Sequence, residues 1–99
     1  MFRELDPLLH SQLRLSIISL LIGLKSADFT YLVEKTGATR GNISVQLKKL
    51  QEAGYIEISK SFKDNYPLTT CKITRKGVDA FEKYVHSLSD YLHPEADKE

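Results

Sequence analysis

Apolar positions in the middle of the chain repeat with the spacing of a helix. Ile43, Leu47 and Leu50 lie at i, i+4 and i+7, so they form one face of a helix that should end just before Gly54. Thr39 or its neighbour is a suitable N-cap, and Gly54 can adopt the left-handed conformation that ends many helices. The pattern predicts an amphipathic helix whose opposite face is exposed.

A second, shorter apolar stripe precedes this helix. Leu32 and Val33 predict a short helix between Thr30, its expected N-cap, and Gly37, its expected end. The two helices and the tight turn between them form a helix-turn-helix over residues 30–53. In that motif the second helix can lie in the major groove of DNA.

Beyond Gly54 the pattern changes from helical to alternating. Residues 55–60 alternate in part and residues 68–74 are rich in β-branched side chains, so both are predicted strands. Residues 63–67 contain Asp, Asn and Pro and predict a turn between them. A hairpin is therefore expected over residues 55–73, where it would form a wing beside the DNA-reading helix.

The N-terminal third is apolar on nearly every side. Asp6 is a suitable N-cap and Pro7 a suitable first residue, so a helix is predicted over about 6–25, followed by a short strand at 27–29. From Leu13 onward the helix is apolar nearly all round. This predicts burial on more than one side and, in a chain this small, against a second protomer. The interface residues expected here are Leu13, Ile17, Leu20 and Leu21.

The C-terminal region predicts a last helix over 75–92, with Thr74 as its N-cap. Its apolar positions from Val78 to Leu92 are separated by steps of 3, 4, 3 and 4 residues, the a/d spacing of a coiled-coil seam. This favours a dimerisation helix over one that packs only on its own core. The polar tail after His93 is expected to fray. The interface residues expected on this helix are Phe81, Tyr84, Val85, Leu88, Tyr91 and Leu92.

Length and composition indicate one folded domain. With 99 residues, 41% apolar and 27% charged, a single α+β, mainly α, domain is expected over 1–99. The single cysteine, Cys71, excludes an intramolecular disulfide and favours a reducing, cytoplasmic setting. The N-terminus lacks a signal-peptide pattern. The longest apolar region is about half of the length needed to span a bilayer, so no membrane association is expected.

The net charge of +1 conceals an uneven distribution. Residues 38–76 carry eight Lys or Arg against three Asp or Glu, a net charge of +5, whereas residues 77–99 carry a net charge of −4. A positive field around the helix-turn-helix and the wing would attract phosphate. A solvated face without a ligand is the alternative.

Each residue of the second helix of the motif is rotated by about 100° from the one before it, so positions counted from the buried Ile43 show which residues face outward. The outward face carries amide, hydroxyl, aliphatic and ammonium side chains, which can bond base edges, contact a thymine methyl group and neutralise phosphates. Any exposed helix face also needs polar residues, so the set as a whole carries the prediction. The candidate DNA-binding residues are Thr39, Arg40, Asn42, Ser44, Val45, Gln46, Lys48 and Lys49 on the helix, and Lys60, Lys63, Asn65 and Tyr66 on the wing.

Three segments resemble a known family. They are LDPLLHSQLRLSII in the first helix, GNIS followed by LKKLQEAGY in the helix-turn-helix, and ITRKGVDAFEKY after the wing. With them, residues 5–92 resemble the small single-domain winged-helix transcriptional regulators related to the MarR and ArsR groups. The resemblance implies a homodimer, with the first and last helices at its interface, that binds a palindromic operator. The expected operator is a pseudo-palindrome and the expected regulator a repressor, with an activator as the alternative. Family members often carry a basic residue and His where this chain has Val45 and Gln46.

Other classes of function have less support. The histidines lack partners at the spacing of a nucleophilic site, and no Gly-rich phosphate loop occurs, so no enzyme and no cofactor are expected. His86 and His93 share one helix face with Asp90 close by, so a metal site is an alternative to solvated histidines. Cys71 is expected to be a small buried hydrophobe, with a redox switch as the alternative. A protein–protein interaction module is the rival to DNA binding. An interface pocket for a small-molecule effector is compatible with the sequence, which identifies no ligand.

Overall fold

The computed structural model describes residues 1–95, which form four helices and a three-stranded antiparallel sheet. In chain order the elements are α1 (Gln12–Leu24), β1 (Ser26–Asp28), α2 (Phe29–Thr36), α3 (Arg40–Glu52), β2 (Ile56–Lys63), β3 (Tyr66–Ile73) and α4 (Arg75–Leu92). The strands lie in the order β1-β3-β2. This confirms the expected α+β, mainly α, winged-helix arrangement. Residues 96–99 of the expected domain, the end of its polar tail, lie outside the described residues.

The predicted glycine and threonine define the turn between α2 and α3. Gly37 has a φ of 72°, and its amide donates to the Val33 carbonyl, which ends α2. The Thr39 hydroxyl accepts from the Asn42 amide at 3.1 Å and caps α3. Gly54, with a φ of 82°, follows α3 and turns the chain into β2. The two helices of the motif are thereby held at a defined angle.

The first helix starts later than predicted, because Asp6 is engaged elsewhere. The Asp6 carboxylate accepts hydrogen bonds from the Leu8 amide at 2.9 Å and from the Tyr55 hydroxyl at 2.5 Å. These bonds hold a turn ahead of the helix, and Ser11 caps α1 by accepting from the Arg14 amide at 3.4 Å. Burial, together with the Asp6 carboxylate, raises the pKa of Tyr55 to about 12, so the phenol remains a donor to Asp6.

The second helix starts earlier than predicted. Asp28 ends β1 and is also the N-cap of α2, where its carboxylate accepts from the Tyr31 amide at 2.8 Å. Thr30, the predicted N-cap, therefore lies within the first helical turn. A carboxylate is as good a cap as a hydroxyl, and the pairing of β1 with β3 places Asp28 where the helix must begin.

A single apolar core lies between the helices and the inner side of the sheet. The predicted inner face of α3 is buried, with Ile43, Leu47 and Leu50 no more than 2% exposed. In α1, Ile17 and Ile18 are fully buried against the same core. The other buried apolar side chains are those of Leu9, Leu21, Leu32, Ile56, Cys71, Ile73 and Tyr84.

The wing is longer than the sequence pattern predicts. Its strands pair from Ile56 opposite Ile73 out to Lys63 opposite Tyr66, and the turn consists of Asp64 and Asn65 alone, at φ 52° and 66°. Two residues with positive φ are typical of tight hairpin turns. Pro67 lies in β3 beyond the point where β1 pairs, so its lack of an amide hydrogen costs no ladder bond on that edge.

Gly77 allows the start of α4 to pack closely against the segment between α3 and β2. A Cβ atom at this position would lie 2.3 Å from the carbonyl oxygen of Tyr55. The Thr74 hydroxyl donates to the Gly54 carbonyl at 2.6 Å, and the Thr74 amide donates to the Tyr55 carbonyl at 3.0 Å. These bonds fix the backbone that a larger residue would have to displace.

We expect Gly77→Ala to lower the free energy of unfolding by about 1–3 kcal/mol, because the added methyl group overpacks against a fixed backbone. Urea denaturation followed by circular dichroism measures the change. Gly23→Ala in α1 is the matched control: nothing lies within 4 Å of its Cβ position, so it should gain about 0.5–1 kcal/mol. Wild-type stability in Gly77→Ala would contradict the close contact.

Cys71 lies in β3 with its side chain fully buried. Burial, and secondarily the Asp28 carboxylate, raise the pKa of its thiol from 9.0 to about 11. The native thiol therefore keeps its proton between pH 9 and 11, where the unfolded thiol loses it. Cys71 thus contributes stability below pH 9 that is lost as the pH rises toward 11.

Since the thiolate is the reactive form, we expect native Cys71 to react with an aromatic disulfide reagent at pH 8 at least about 100-fold more slowly than in urea. The release of coloured thiolate measures both rates. A native rate equal to the denatured one would show that the thiol is exposed and would revive the redox alternative.

Candidate nucleic-acid interface

The outward face of α3 is centred on Val45, which is 52% exposed. Of the eight candidates on or next to this helix, all except Gln46 are exposed. Asn42 and Lys49 lie on one side of Val45, and Lys48 lies on the other. Because the inner face of α3 is buried, the helix cannot rotate to hide these side chains.

A groove of about 750 Å³ separates α3 from the wing. Its rim is basic and polar, with Arg40, Ser44 and Lys48 on the helix side and Lys60 on the wing side. The Arg40 guanidinium carbon lies 4.7 Å from the centre of the Phe29 ring, a cation–π contact that holds this charge at the start of α3. Three cationic side chains thus surround one concavity.

The candidate residues on the wing do not share one face. Side chains alternate along β2, so Lys60 lies on the face that continues from the core toward α3, and Lys63 lies on the opposite face. Tyr66 pairs with Lys63 and is 75% exposed beside it, and Asn65 is in the turn. The structure therefore brings only Lys60 of this set together with α3.

Phe62 is an exposed aromatic residue that is absent from the set predicted from the sequence. It is 78% exposed and follows Lys60 by two residues, so the alternation puts it on the α3 side of the wing. The alternation in the sequence contains this signal, but the predicted strand ends at Lys60. A strand extended to the turn would place an apolar side chain next to the basic rim.

Gln46 does not project freely from α3. Its side-chain oxygen accepts from the Arg14 guanidinium at 2.6 Å, and its side-chain nitrogen donates to the Asn42 side-chain oxygen at 2.9 Å. Arg14 also donates to the Leu8 carbonyl at 2.5 Å. No sequence pattern links Arg14 in α1 to the reading face, because the two are joined only by tertiary packing.

The sequence of this chain matches a known protein family. Residues 13–92 match the model of a winged helix DNA-binding domain. The chain belongs to that family. An uncharacterized protein from Methanocaldococcus jannaschii is 42% identical over 79 residues, which cover 80% of this chain and 86% of that protein.

Solved structures share the fold of this winged-helix domain. A transcriptional regulator homologue from Pyrococcus horikoshii OT3 superimposes with a TM-score of 0.83 at 24% identity, over 90% of this chain and 88% of that one. A mutant MarR from E. coli, complexed with operator DNA, gives a TM-score of 0.73 at 18% identity, over 93% of this chain and 65% of that one. The expected resemblance to MarR-like regulators is confirmed at the level of the fold.

The residues expected at a dimer interface divide into two groups in this winged-helix domain. Ile17 and Leu21 are fully buried in the protomer, and Tyr84 is 5% exposed with its hydroxyl 3.0 Å from Nδ1 of His10. These three belong to the protomer's own core, because the packing of α1 and α4 turns them inward, and they are not available to a second chain. The rest of the expected set retains exposed surface and comprises Leu13, Leu20, Phe81, Val85, Leu88, Tyr91 and Leu92.

The N-terminal residues lie along the end of α4. Arg3 donates to both carboxylate oxygens of Asp90, at 2.7 and 2.5 Å, and this pairing holds the pKa of Asp90 well below its usual range. The Phe2 and Tyr91 rings are 5.0 Å apart, and the Tyr91 hydroxyl donates to the Arg3 carbonyl at 2.8 Å. This segment adds exposed apolar surface beside α4, since Phe2 is 58% exposed.

The described part of the chain carries neither a metal-ligating cluster nor a membrane-spanning helix. Within residues 1–95, no group of three or more His, Cys, Asp or Glu side chains could hold a metal ion. In the same range, no helix has the length and apolar character needed to cross a membrane.

Proposed function

We propose that this winged-helix domain binds duplex DNA sequence-specifically as a homodimer, that it regulates transcription, and that it acts as a repressor. The observation that carries the proposal is the outward face of α3, where exposed base-reading and cationic side chains lie beside a basic groove. In a helix-turn-helix this helix lies in the major groove, with its N-terminal residues on base edges. The α3-facing side of the wing, with Lys60 and Phe62, would contact the same duplex.

The division of labour within the interface follows from side-chain chemistry. Lys48, Lys49 and Lys60 would neutralise phosphates and set the position of the protein on the duplex. Val45, between Lys48 and Lys49 on the helix face, and Asn42, in the first turn, would contact base edges, the valine through a thymine methyl group. Lys63 and Tyr66, on the far face of the wing, are assigned a smaller part than the sequence suggested.

The exposed apolar ridge of α4 supports the homodimer. Val85 is 49% and Leu92 66% exposed on α4, on a side of the helix about 80–100° around from Tyr84, which points into the core. Leu24, at the end of α1, is another exposed apolar residue, at 48%. A monomer would leave these side chains in water, whereas a two-fold dimer that used them would bury them on both copies. Two copies of α3 would then contact half-sites about one helical turn, roughly 34 Å, apart.

We expect DNA affinity to fall steeply with salt and each phosphate-binding lysine to contribute to the slope. Lys48→Ala or Lys60→Ala should reduce the slope of log K against log salt by about 0.9 for each phosphate that is no longer neutralised, and a dimer has two such positions. Fluorescence anisotropy measures these slopes, first on mixed genomic fragments and then on the operator selected from a random duplex pool. Lys83→Ala in α4 is the matched control, and its slope should equal that of the wild type.

The rival function gives a different result in the same experiment. A protein–protein interaction module would show no salt-dependent binding of DNA in the wild type, even at low ionic strength. That outcome would overturn the proposed function.

The dimer and the DNA face can be separated with two equivalent substitutions. Val85→Glu should yield monomers in sedimentation velocity, because it puts a charge in the proposed apolar interface. Val45 has nearly the same exposure on α3, so Val45→Glu should remain dimeric while its DNA affinity falls at least about tenfold, because the carboxylate repels phosphate and cannot replace the valine at a thymine methyl group. A dimeric Val85→Glu protein would refute the interface on α4.

A further inference from the structure

Arg14 connects α1 to the reading face of α3 through a chain of directed hydrogen bonds. Its Nη1 donates to Oε1 of Gln46 at 2.6 Å, and Nε2 of Gln46 donates to Oδ1 of Asn42 at 2.9 Å. Its Nε donates to the Leu8 carbonyl at 2.5 Å, which fixes the guanidinium at the other end. The three side chains form a relay from the half-buried Arg14 of α1 to the exposed Asn42 of α3.

The chemistry of arginine determines the direction of every bond in this relay. A guanidinium is donor-only, so the Gln46 side chain must turn its oxygen toward Arg14. Its nitrogen then faces Asn42, and Asn42 must present its oxygen to that nitrogen. The orientation of both amides, which are otherwise interchangeable by a half-turn, follows from one positive charge.

The end of the relay lies where a helix-turn-helix reads bases. Asn42 is exposed in the first turn of α3, and its backbone amide is held by the Thr39 hydroxyl at 3.1 Å. Because the Asn42 oxygen is turned toward Gln46 and one of its two lone pairs is engaged there, the side chain turns its NH₂, with two donors, away from Gln46. The N-terminal turn of the reading helix therefore offers hydrogen-bond donors at this point.

We propose that Arg14 is a specificity-determining positioning residue: through Gln46 it orients the Asn42 amide so that α3 donates to acceptor atoms in the major groove. This inference rests on the proposed DNA-binding function and deepens it. The edge that suits two donors from one nitrogen is that of guanine, whose N7 and O6 are both acceptors. The bidentate pairing of asparagine with adenine uses the oxygen as an acceptor as well as the nitrogen as a donor, and one of the two lone pairs of the Asn42 oxygen is already engaged by Gln46, so the relay favours donation from the nitrogen.

The decisive variant is Gln46→Glu, because it reverses the relay and keeps the bond to Arg14. A carboxylate accepts only, so Asn42 must turn its nitrogen toward residue 46 and its oxygen toward the DNA. The preferred base should then change from guanine to one with a major-groove donor, cytosine or adenine. Gln51→Glu adds the same charge to α3 outside the relay but beside the groove, so it is the matched control for phosphate repulsion: its overall affinity should fall while its base preference stays that of the wild type.

The experiment is a selection of bound sequences from a random duplex pool, run in parallel with the wild type, Gln46→Glu, Gln51→Glu, Arg14→Lys and Arg14→Met. We expect guanine at one position of each half-site for the wild type, for Gln51→Glu and, through the retained donor, for Arg14→Lys. Gln46→Glu should shift the preference at that position by about tenfold or more, and Arg14→Met should relax it. Thermal melting identifies any variant that is unfolded. If Arg14→Met is unfolded, Gln46→Glu still tests the relay.

A chemical probe gives a second measurement. Replacing the selected guanine with 7-deazaguanine removes the N7 acceptor, so it should weaken the wild type about tenfold and leave Gln46→Glu unaffected. If the wild type selects no sequence, the proposed function fails. If it selects a half-site whose base preference is the same in Gln46→Glu and Arg14→Met, the function stands and the relay is overturned.

Discussion

The burial of Ile43, Leu47 and Leu50 is the constraint on which the rest of this structure depends. Each of these side chains contributes about 1.5–3 kcal/mol on burial, so together they are comparable with the whole stability of a small domain. They share one core with Ile17 and Ile18 of α1. The packing of this core therefore fixes the rotation of α3 about its own axis. Any side chain opposite this buried face is held outward, so the proposed DNA-binding surface would need no ordering on binding.

α1 links that core to the proposed dimer surface. Its inner residues support α3, Arg14 reaches the reading face, and the turn before it is bonded to Tyr55 through Asp6. The same turn leads to His10, which bonds Tyr84 of α4. α1 and the turn before it therefore support both α3 and α4, so in the proposed dimer the separation of the two copies of α3 would depend on a rigid body and not on a linker.

Features that depend on local chemistry were predictable from the sequence, and features that depend on tertiary partners were not. Periodicity and positive-φ glycines indicated the helix-turn-helix, because they reflect rules that act within a few residues. Asp6 was misassigned because its partner, Tyr55, is distant in sequence. Tyr84 was placed in the dimer seam because heptad spacing cannot distinguish a side chain that faces the protomer's core from one that faces a second chain. Phe62 was missed because a two-residue turn needs fewer residues than the polar cluster suggested.

The distribution of charge in the candidate interface suggests how affinity and specificity would be divided. The centre of the reading face is Val45, an aliphatic residue, and the lysines lie at its margins. An uncharged centre gains little electrostatic attraction from any duplex. Its binding depends on which base edge it contacts, because a mismatched base edge leaves polar groups without hydrogen-bond partners. Non-specific attraction would then come from the marginal lysines and be doubled by dimerisation. In the proposed interface, the orientation of the Asn42 amide by Arg14 and Gln46 would matter for specificity, because few other polar groups would contact base edges.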